Sequence, residues 1–131
     1  MSGIAYLDAS ALVKLVVEEP ESWALGDLIR DRPTASSDVA RVELPRTVRR
    51  LGLEDVARKR TADVLGRVTL LKLDRAILAR AAEVPPVALR SLDAIHLASA
   101  LSVGELDAFV TYDRRLAEAA DLVGLPTTAP A

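Results

Sequence analysis

Cysteine is absent from this chain, which excludes disulfides, thiolate zinc sites and a cysteine nucleophile together. Histidine occurs once, at His96, so neither a paired-histidine zinc site nor a two-histidine acid–base pair can be built. Aromatic residues supply 3% of the chain, which leaves the core to Leu, Val, Ala and Ile and gives base stacking little part in any nucleic-acid recognition. No apolar run reaches the roughly 18 residues of a membrane span, because Asp8 and Lys14 interrupt the stretch from Ile4 to Val17. No signal peptide is visible, and the lack of cysteine fits a cytoplasmic location. A phosphate-binding P-loop, a G-x-G-x-x-G fingerprint and a G-x-S-x-G nucleophile elbow are likewise missing.

What remains is 131 residues, half of them hydrophobic, a length and composition suited to one packed domain. The formal net charge of −2 offers no global attraction to nucleic acid, but charge is uneven. Between Arg41 and Arg60 seven basic residues face three acids, so that window is +4 and the rest of the chain −6.

Hydrophobic patterning predicts short buried strands alternating with helices. Gly3 to Leu7 reads as a strand ending at Asp8, and Ser10 is placed to cap a helix with Leu12, Val13, Leu15 and Val16 on its apolar face. Pro20 ends that helix and opens the next, Glu21 to Asp31. Pro33 to Ser36 is a second strand, and Ser36 or Ser37 caps a helix carrying Glu43, with a kink expected at Pro45. Beyond Gly52 come a helix from Glu54 to Leu65, a strand from Val68 to Leu73 and an Asp74-capped helix to Glu83. An apolar helix from Leu92 to Val103, a strand from Ala108 to Tyr112, a helix from Arg114 to Leu122 and a short edge strand from Leu125 to Thr128 complete the series. The expected fold is a single three-layer α/β/α domain over residues 1–131, with a short, mostly parallel sheet flanked by helices. An ordered core to about residue 125 and a short frayed tail are expected.

Four acids fall where such a fold would gather them. Asp8 and Asp113 follow strands, and Glu43 and Asp93 sit in the first turns of helices, all consistent with the carboxyl edge of the sheet, where ligands of open α/β sheets bind. Each has a plainer reading. Asp8 and Asp113 serve equally as helix caps, Glu43 as a surface glutamate and Asp93 as an acid complementing a helix dipole. Four such coincidences on one rim are harder to accept than a shared site. Carboxylates crowded together repel, and a divalent cation supplies the missing positive charge. Ser10 and Thr111 place hydroxyls two residues from Asp8 and Asp113, where they could orient a carboxylate or a metal-bound water or equally serve as a helix cap and a strand-end residue. His96, one turn after Asp93, reads best as a satisfied structural histidine. Arg46, Arg49 and Arg50 fit a solvated helix face or, if the acidic site is real, a phosphate-tracking surface.

The chain resembles PIN-domain proteins, and more narrowly VapC-type toxins of bacterial toxin–antitoxin pairs. The resemblance is carried by Tyr6-Leu7-Asp8-Ala9-Ser10-Ala11-Leu12-Val13-Lys14, by Ser36-Ser37 through Glu43, by Leu92-Asp93-Ala94-Ile95-His96-Leu97-Ala98 and by Val110-Thr111-Tyr112-Asp113-Arg114-Arg115-Leu116. It implies an endoribonuclease dependent on Mg²⁺ or Mn²⁺ that leaves a 5′ phosphate. Asp8, Asp93 and Asp113 would act as metal ligands, and Glu43 would act through water or at a second metal. It also implies a homodimer restrained by a cognate VapB-type antitoxin. The apolar faces of the first two helices, Leu12, Val16, Trp23 and Leu28, are candidate surfaces for such partners, with burial in the monomer core the default reading for most of them. Two other classes compete. A non-catalytic PIN-like binding module would keep the acids for partner contact, and a phosphoaspartyl receiver or phosphatase would need a lysine after a late strand. Lys14, Lys59 and Lys72 do not provide one.

Overall fold

The computed structural model describes residues 3–131, so the first two residues of the expected 1–131 domain lie outside the described part. The chain runs β1 (Ile4–Leu7), α1 (Ala9–Val16), α2 (Ser22–Ile29), β2 (Thr34–Ser37), α3 (Ala40–Arg50) and α4 (Arg58–Arg67). It continues with β3 (Thr69–Leu71), α5 (Arg75–Ala81), α6 (Ser91–Leu101), β4 (Leu106–Val110), α7 (Arg114–Leu122) and β5 (Thr127–Thr128). The five strands form one sheet in the order β3-β2-β1-β4-β5, and every neighbouring pair is parallel. This is the three-layer α/β/α arrangement expected from the alternation of strands and helices.

Side chains alternate across the strands and divide the core in two. Ala5 and Leu7 of β1, with Ala108 and Val110 of β4, join Leu12, Leu25, Leu44, Val48 and Val64 under α1–α4. Tyr6 and Phe109 point the other way, into a layer with Leu97, Leu116 and Ala120 from α6 and α7. Strands buried on both faces account for their unbroken apolar sequences.

The strand order places the site. From β1 the chain winds outward through β2 to β3, then crosses back to lay β4 against the other side of β1. The crevice between the carboxyl ends of β1 and β4 is therefore the topological switch point, where a doubly wound sheet binds its ligand.

Several local expectations are corrected. Asp8, not Ser10, caps α1: its carboxylate accepts from the Ala11 N–H at 3.0 Å. Ser36 and Ser37 belong to β2; α3 starts from Val39 without a side-chain cap of its own, Ser37 Oγ accepts from the Val39 N–H at 3.2 Å just ahead of the helix, and Ser36 Oγ donates to the Leu7 carbonyl at 2.6 Å. Strand β4 ends at Val110, so Asp113 stands three residues beyond it as the N-cap of α7. Helix α3 runs unbroken through Pro45, which lies exposed on its outer side. The end of the chain is pinned, because β5 pairs with β4 and the Tyr112 hydroxyl donates to the Pro130 carbonyl at 2.7 Å. Of the candidate partner-facing residues, Leu12 is fully buried in the core, whereas Trp23 is 76% exposed.

That contrast sets an expected outcome. Leu12→Ala should cost about 2–5 kcal/mol, as large-to-small core changes do, while Trp23→Ala should stay within about 0.5 kcal/mol. Chemical denaturation of the two variants, compared by midpoint at constant slope, measures both.

Candidate active site

Asp8 directly follows β1 and is buried, 3% exposed, at the crevice between β1 and β4. Burial pushes its carboxyl above the usual range, and the hydrogen bonds it receives from Ser10, Thr111 and the Ala11 amide oppose that rise. Ser10 Oγ donates to Oδ1 at 2.7 Å and Thr111 Oγ1 to Oδ2 at 2.6 Å. The two hydroxyls belong to a small network that closes the crevice. Ser10 Oγ accepts from the Tyr112 N–H at 2.9 Å, and Thr111 Oγ1 from the Asp113 N–H at 3.0 Å. Ser10 and Thr111 are therefore tied to Asp8 itself, one across α1 and the other across β4.

Asp113 sits on the far side of the same crevice. Its Oδ1 accepts from the Arg115 and Leu116 amides at 2.9 and 3.4 Å, so its position is set by the start of α7. Asp93 lies in the first turn of α6 and is half-buried. Its carboxyl is pushed up by burial first and then by the negative charge of Asp113; Asp8 and Glu43 add to the rise and His96 opposes it. The other three acids thus all act on Asp93 through space. The structure brings the four sequence-predicted acids onto one rim.

Glu43 reaches that rim from the first turn of α3 and is held by a residue that sequence reasoning had set aside as structural. His96 Nε2 lies 2.7 Å from Glu43 Oε1, and Nδ1 lies 2.8 Å from the Tyr6 hydroxyl. His96 is buried at 1% exposure, and burial keeps the Tyr6 phenol well above its usual pKa. The only available signal for this link was the placement of a lone histidine one turn after Asp93, inside an apolar helix.

Two clefts flank the acids. One of about 660 Å³ is lined by Arg90, Asp93, Asp113, Arg114 and Arg115. The other, about 790 Å³, is lined by Ser10, Val42, Glu43, Arg46, Arg50 and Leu92. Arg46 and Arg50 are thus placed beside the acids, whereas Arg49 lines neither cleft. Arg90, Arg114 and Arg115, which the charge count along the chain did not single out, stand at the other side. The arginine ion pairs among the described residues use Arg30, Arg32, Arg41 and Arg58, leaving these five cleft arginines unpaired. No lysine or arginine pairs with Asp8, Asp93 or Asp113 among the described residues; Lys14 is taken up by Glu19 and Glu21 at 3.4 and 3.0 Å.

The donor set is carboxylate and hydroxyl oxygen, the chemistry that Mg²⁺ and Mn²⁺ prefer. Among the described residues no three His, Asp or Glu side chains form a ready-made metal cage. A Mg²⁺ ion, however, ordinarily keeps several waters and is held through only one or two carboxylates. The uncompensated charge around Asp93 fits such an ion.

The PIN domain family model matches residues 5–122 of the chain. Ribonuclease VapC46 of Mycobacterium tuberculosis (strain ATCC 25618 / H37Rv) is 44% identical over 127 residues, covering 95% of this chain and 96% of that protein. Ribonuclease VapC47 of Mycobacterium tuberculosis (strain CDC 1551 / Oshkosh) is 40% identical over 131 residues, with the same 95% and 96% coverage. The crystal structure of VapBC2 from Rickettsia felis bound to a DNA fragment from their promoter contains a chain of similar fold. The TM-score is 0.73, over 98% of this chain and 99% of that one, at 13% identity.

The crowding of Asp93 has a pH signature. Its folded carboxyl is raised above the unfolded value, so ionisation costs stability once pH rises through the folded pKa and costs nothing below the unfolded one. Asp93→Asn should therefore raise the melting temperature of chelator-treated protein at neutral pH. The gain should fade as pH falls through the raised folded value and be gone below about 4, near the ordinary aspartate value. Thermal melts of both proteins across pH test this.

Proposed function

The chain belongs to the PIN-domain family, and on that premise we propose that it is a metal-dependent endoribonuclease of the VapC type, restrained by a cognate VapB-type antitoxin. The observation that carries this reading is the charge at the rim. Asp93 is raised by burial and then by three neighbouring acids, and among the described residues no lysine or arginine neutralises Asp8, Asp93 or Asp113. A fold rarely tolerates such a cluster without a cation to complete it.

Asp93 and Asp113 are the residues most open to hold Mg²⁺ or Mn²⁺, with Asp8 behind them and Glu43 approaching from α3. When bound, the ion would cancel their repulsion and supply Lewis-acid chemistry at a phosphodiester. The remaining work falls to the chain. Ser10 and Thr111 keep the Asp8 carboxylate in one orientation, and the amides at the start of α7 do the same for Asp113. Arg90, Arg114 and Arg115 on one side and Arg46 and Arg50 on the other can meet successive phosphates of an RNA strand crossing the acids. Such interactions position the backbone without reading its sequence. With few aromatics, selection among RNAs rests on shape and phosphate geometry.

Exposed Val42 and Leu92 on the Glu43 side of the rim, and exposed Trp23 on α2, offer apolar surface for an antitoxin or for a second copy of the chain in a homodimer. The phosphoaspartyl reading loses support, since Lys14 is committed to two glutamates and among the described residues no lysine lines either rim cleft.

Incubation of a total RNA pool with the purified chain, with and without Mg²⁺, tests the proposal, fragment ends being mapped. Cleavage should require the ion. Asp8→Asn and Asp93→Asn should abolish it while circular dichroism stays native, and wild-type cleavage by either variant at saturating Mg²⁺ would refute the assignment. On the cleavage-dead Asp93→Asn background, Arg114→Glu with Arg115→Glu should weaken RNA binding. The slope of log K against log salt should become shallower by about 0.7 for each single-strand phosphate that these arginines no longer neutralise. An unchanged slope would remove that cleft from the RNA path.

A further inference from the structure

Glu43 is held differently from the other acids. Asp8 and Asp113 cap helices and are fixed by backbone N–H groups, which cannot swing away. Glu43 hangs from α3 on a longer, more flexible side chain, and among the described residues no backbone group fixes that side chain. What holds it comes from the other layers of the fold: His96 on α6, itself anchored by Tyr6 on β1. The anchor is rigid. Tyr6 is fully buried and stacked on Phe109, with ring centroids 5.5 Å apart and planes 9° from parallel. His96 stands edge-on to the Tyr6 ring at 5.8 Å and is almost wholly enclosed.

Hydrogen-bonding chemistry gives the chain a direction. A carboxylate only accepts, so Nε2 of His96 must carry the hydrogen that faces Glu43. In the tautomer with hydrogen on Nε2 alone, Nδ1 is an acceptor, and the phenol of Tyr6 has an O–H to give it. We propose that Tyr6 and His96 form a buried positioning chain from β1 through α6 to α3, which fixes one oxygen of Glu43 and leaves the other for a divalent cation or its water shell. Second-layer partners of this kind set ligand orientation, and their loss typically weakens metal binding. The inference rests on the reading of the rim as a cation site, but its first test needs neither metal nor RNA.

Because the chain has a single histidine, long-range ¹⁵N–¹H correlation spectra report this imidazole alone. Nε2 should bear hydrogen; a bare Nε2 in the wild-type protein would overturn the proposal. The second test is Mn²⁺ affinity by calorimetry. His96→Asn, whose amide reaches only the Nδ1 position, should weaken Mn²⁺ by about 10-fold or more. His96→Gln, whose amide nitrogen reaches the Nε2 position, should bind close to wild type even though both variants lose stability. The double variant Glu43→Ala with His96→Asn should match Glu43→Ala alone, because His96 acts through Glu43. Equal losses in the Gln and Asn variants, or additive losses in the double variant, would mark His96 as merely structural. A wild-type chain that binds no Mn²⁺ would defeat the cation-site reading, and the spectrum would still decide which groups hold Glu43.

Discussion

Burying a carboxylate at the end of the central strand is costly unless donors replace the water it loses, and the arrangement around Asp8 follows from that constraint. Its three donors come from two places: the hydroxyl of Ser10 and the amide of Ala11 on α1, and the hydroxyl of Thr111 just beyond β4. Satisfying one anion therefore fixes the start of α1 against the end of β4. The same hydroxyls accept from the amides of Tyr112 and Asp113, which sets the turn that aims Asp113 back across the crevice. Beneath them Leu7 pairs in register with Val110, and Asp8 N–H donates to the Val110 carbonyl at 3.2 Å. Strand pairing, helix capping and site geometry are here one network.

Much of this was legible in the chain because it depends on local chemistry and on period. Apolar runs of strand length between helical segments specify a covered parallel sheet, and acids after strand ends and at helix starts specify one edge of it. What escaped was decided by interactions between distant segments. Serine and aspartate are comparable caps, so only the packed geometry chooses Asp8 over Ser10 for α1. Ser36 and Ser37 resemble caps too, yet β2 claims them because Ser36 satisfies the Leu7 carbonyl across the sheet. Pro45 lies exposed on the outside of α3, where loss of one ladder bond is tolerated by a helix already held through Leu44 and Val48. The bond from His96 to Glu43 spans 53 positions and joins two helices on opposite faces of the sheet, and no spacing rule reaches that far.

Charge distribution explains why net charge was a poor guide to partners. The basic window seen along the chain supplies Arg46 and Arg50 to one cleft, but Arg90, Arg114 and Arg115 reach the other from segments that are not basic in composition. A strand laid across the rim would meet cations on either side and anions in the middle. The pattern favours a polyanion at the flanks and resists it at the centre until a cation is present.

That resistance links stability to activity. Without a cation the rim opposes its own ionisation, most plainly at Asp93, whose carboxyl is raised by burial and by the acids around it. Any ion that binds the folded rim and not the unfolded chain returns this cost as binding free energy and stabilises the fold in proportion to its occupancy. A basic side chain pushed into the same place by a partner would relieve the same repulsion by the same physics. Cation and partner would then compete for one position of negative potential, so a protein that occupies the rim with its own positive charge displaces the ion on which the proposed chemistry depends. Inhibition by such a partner would require no change in the fold, because the frame set by Asp8, Ser10 and Thr111 is already complete without either occupant.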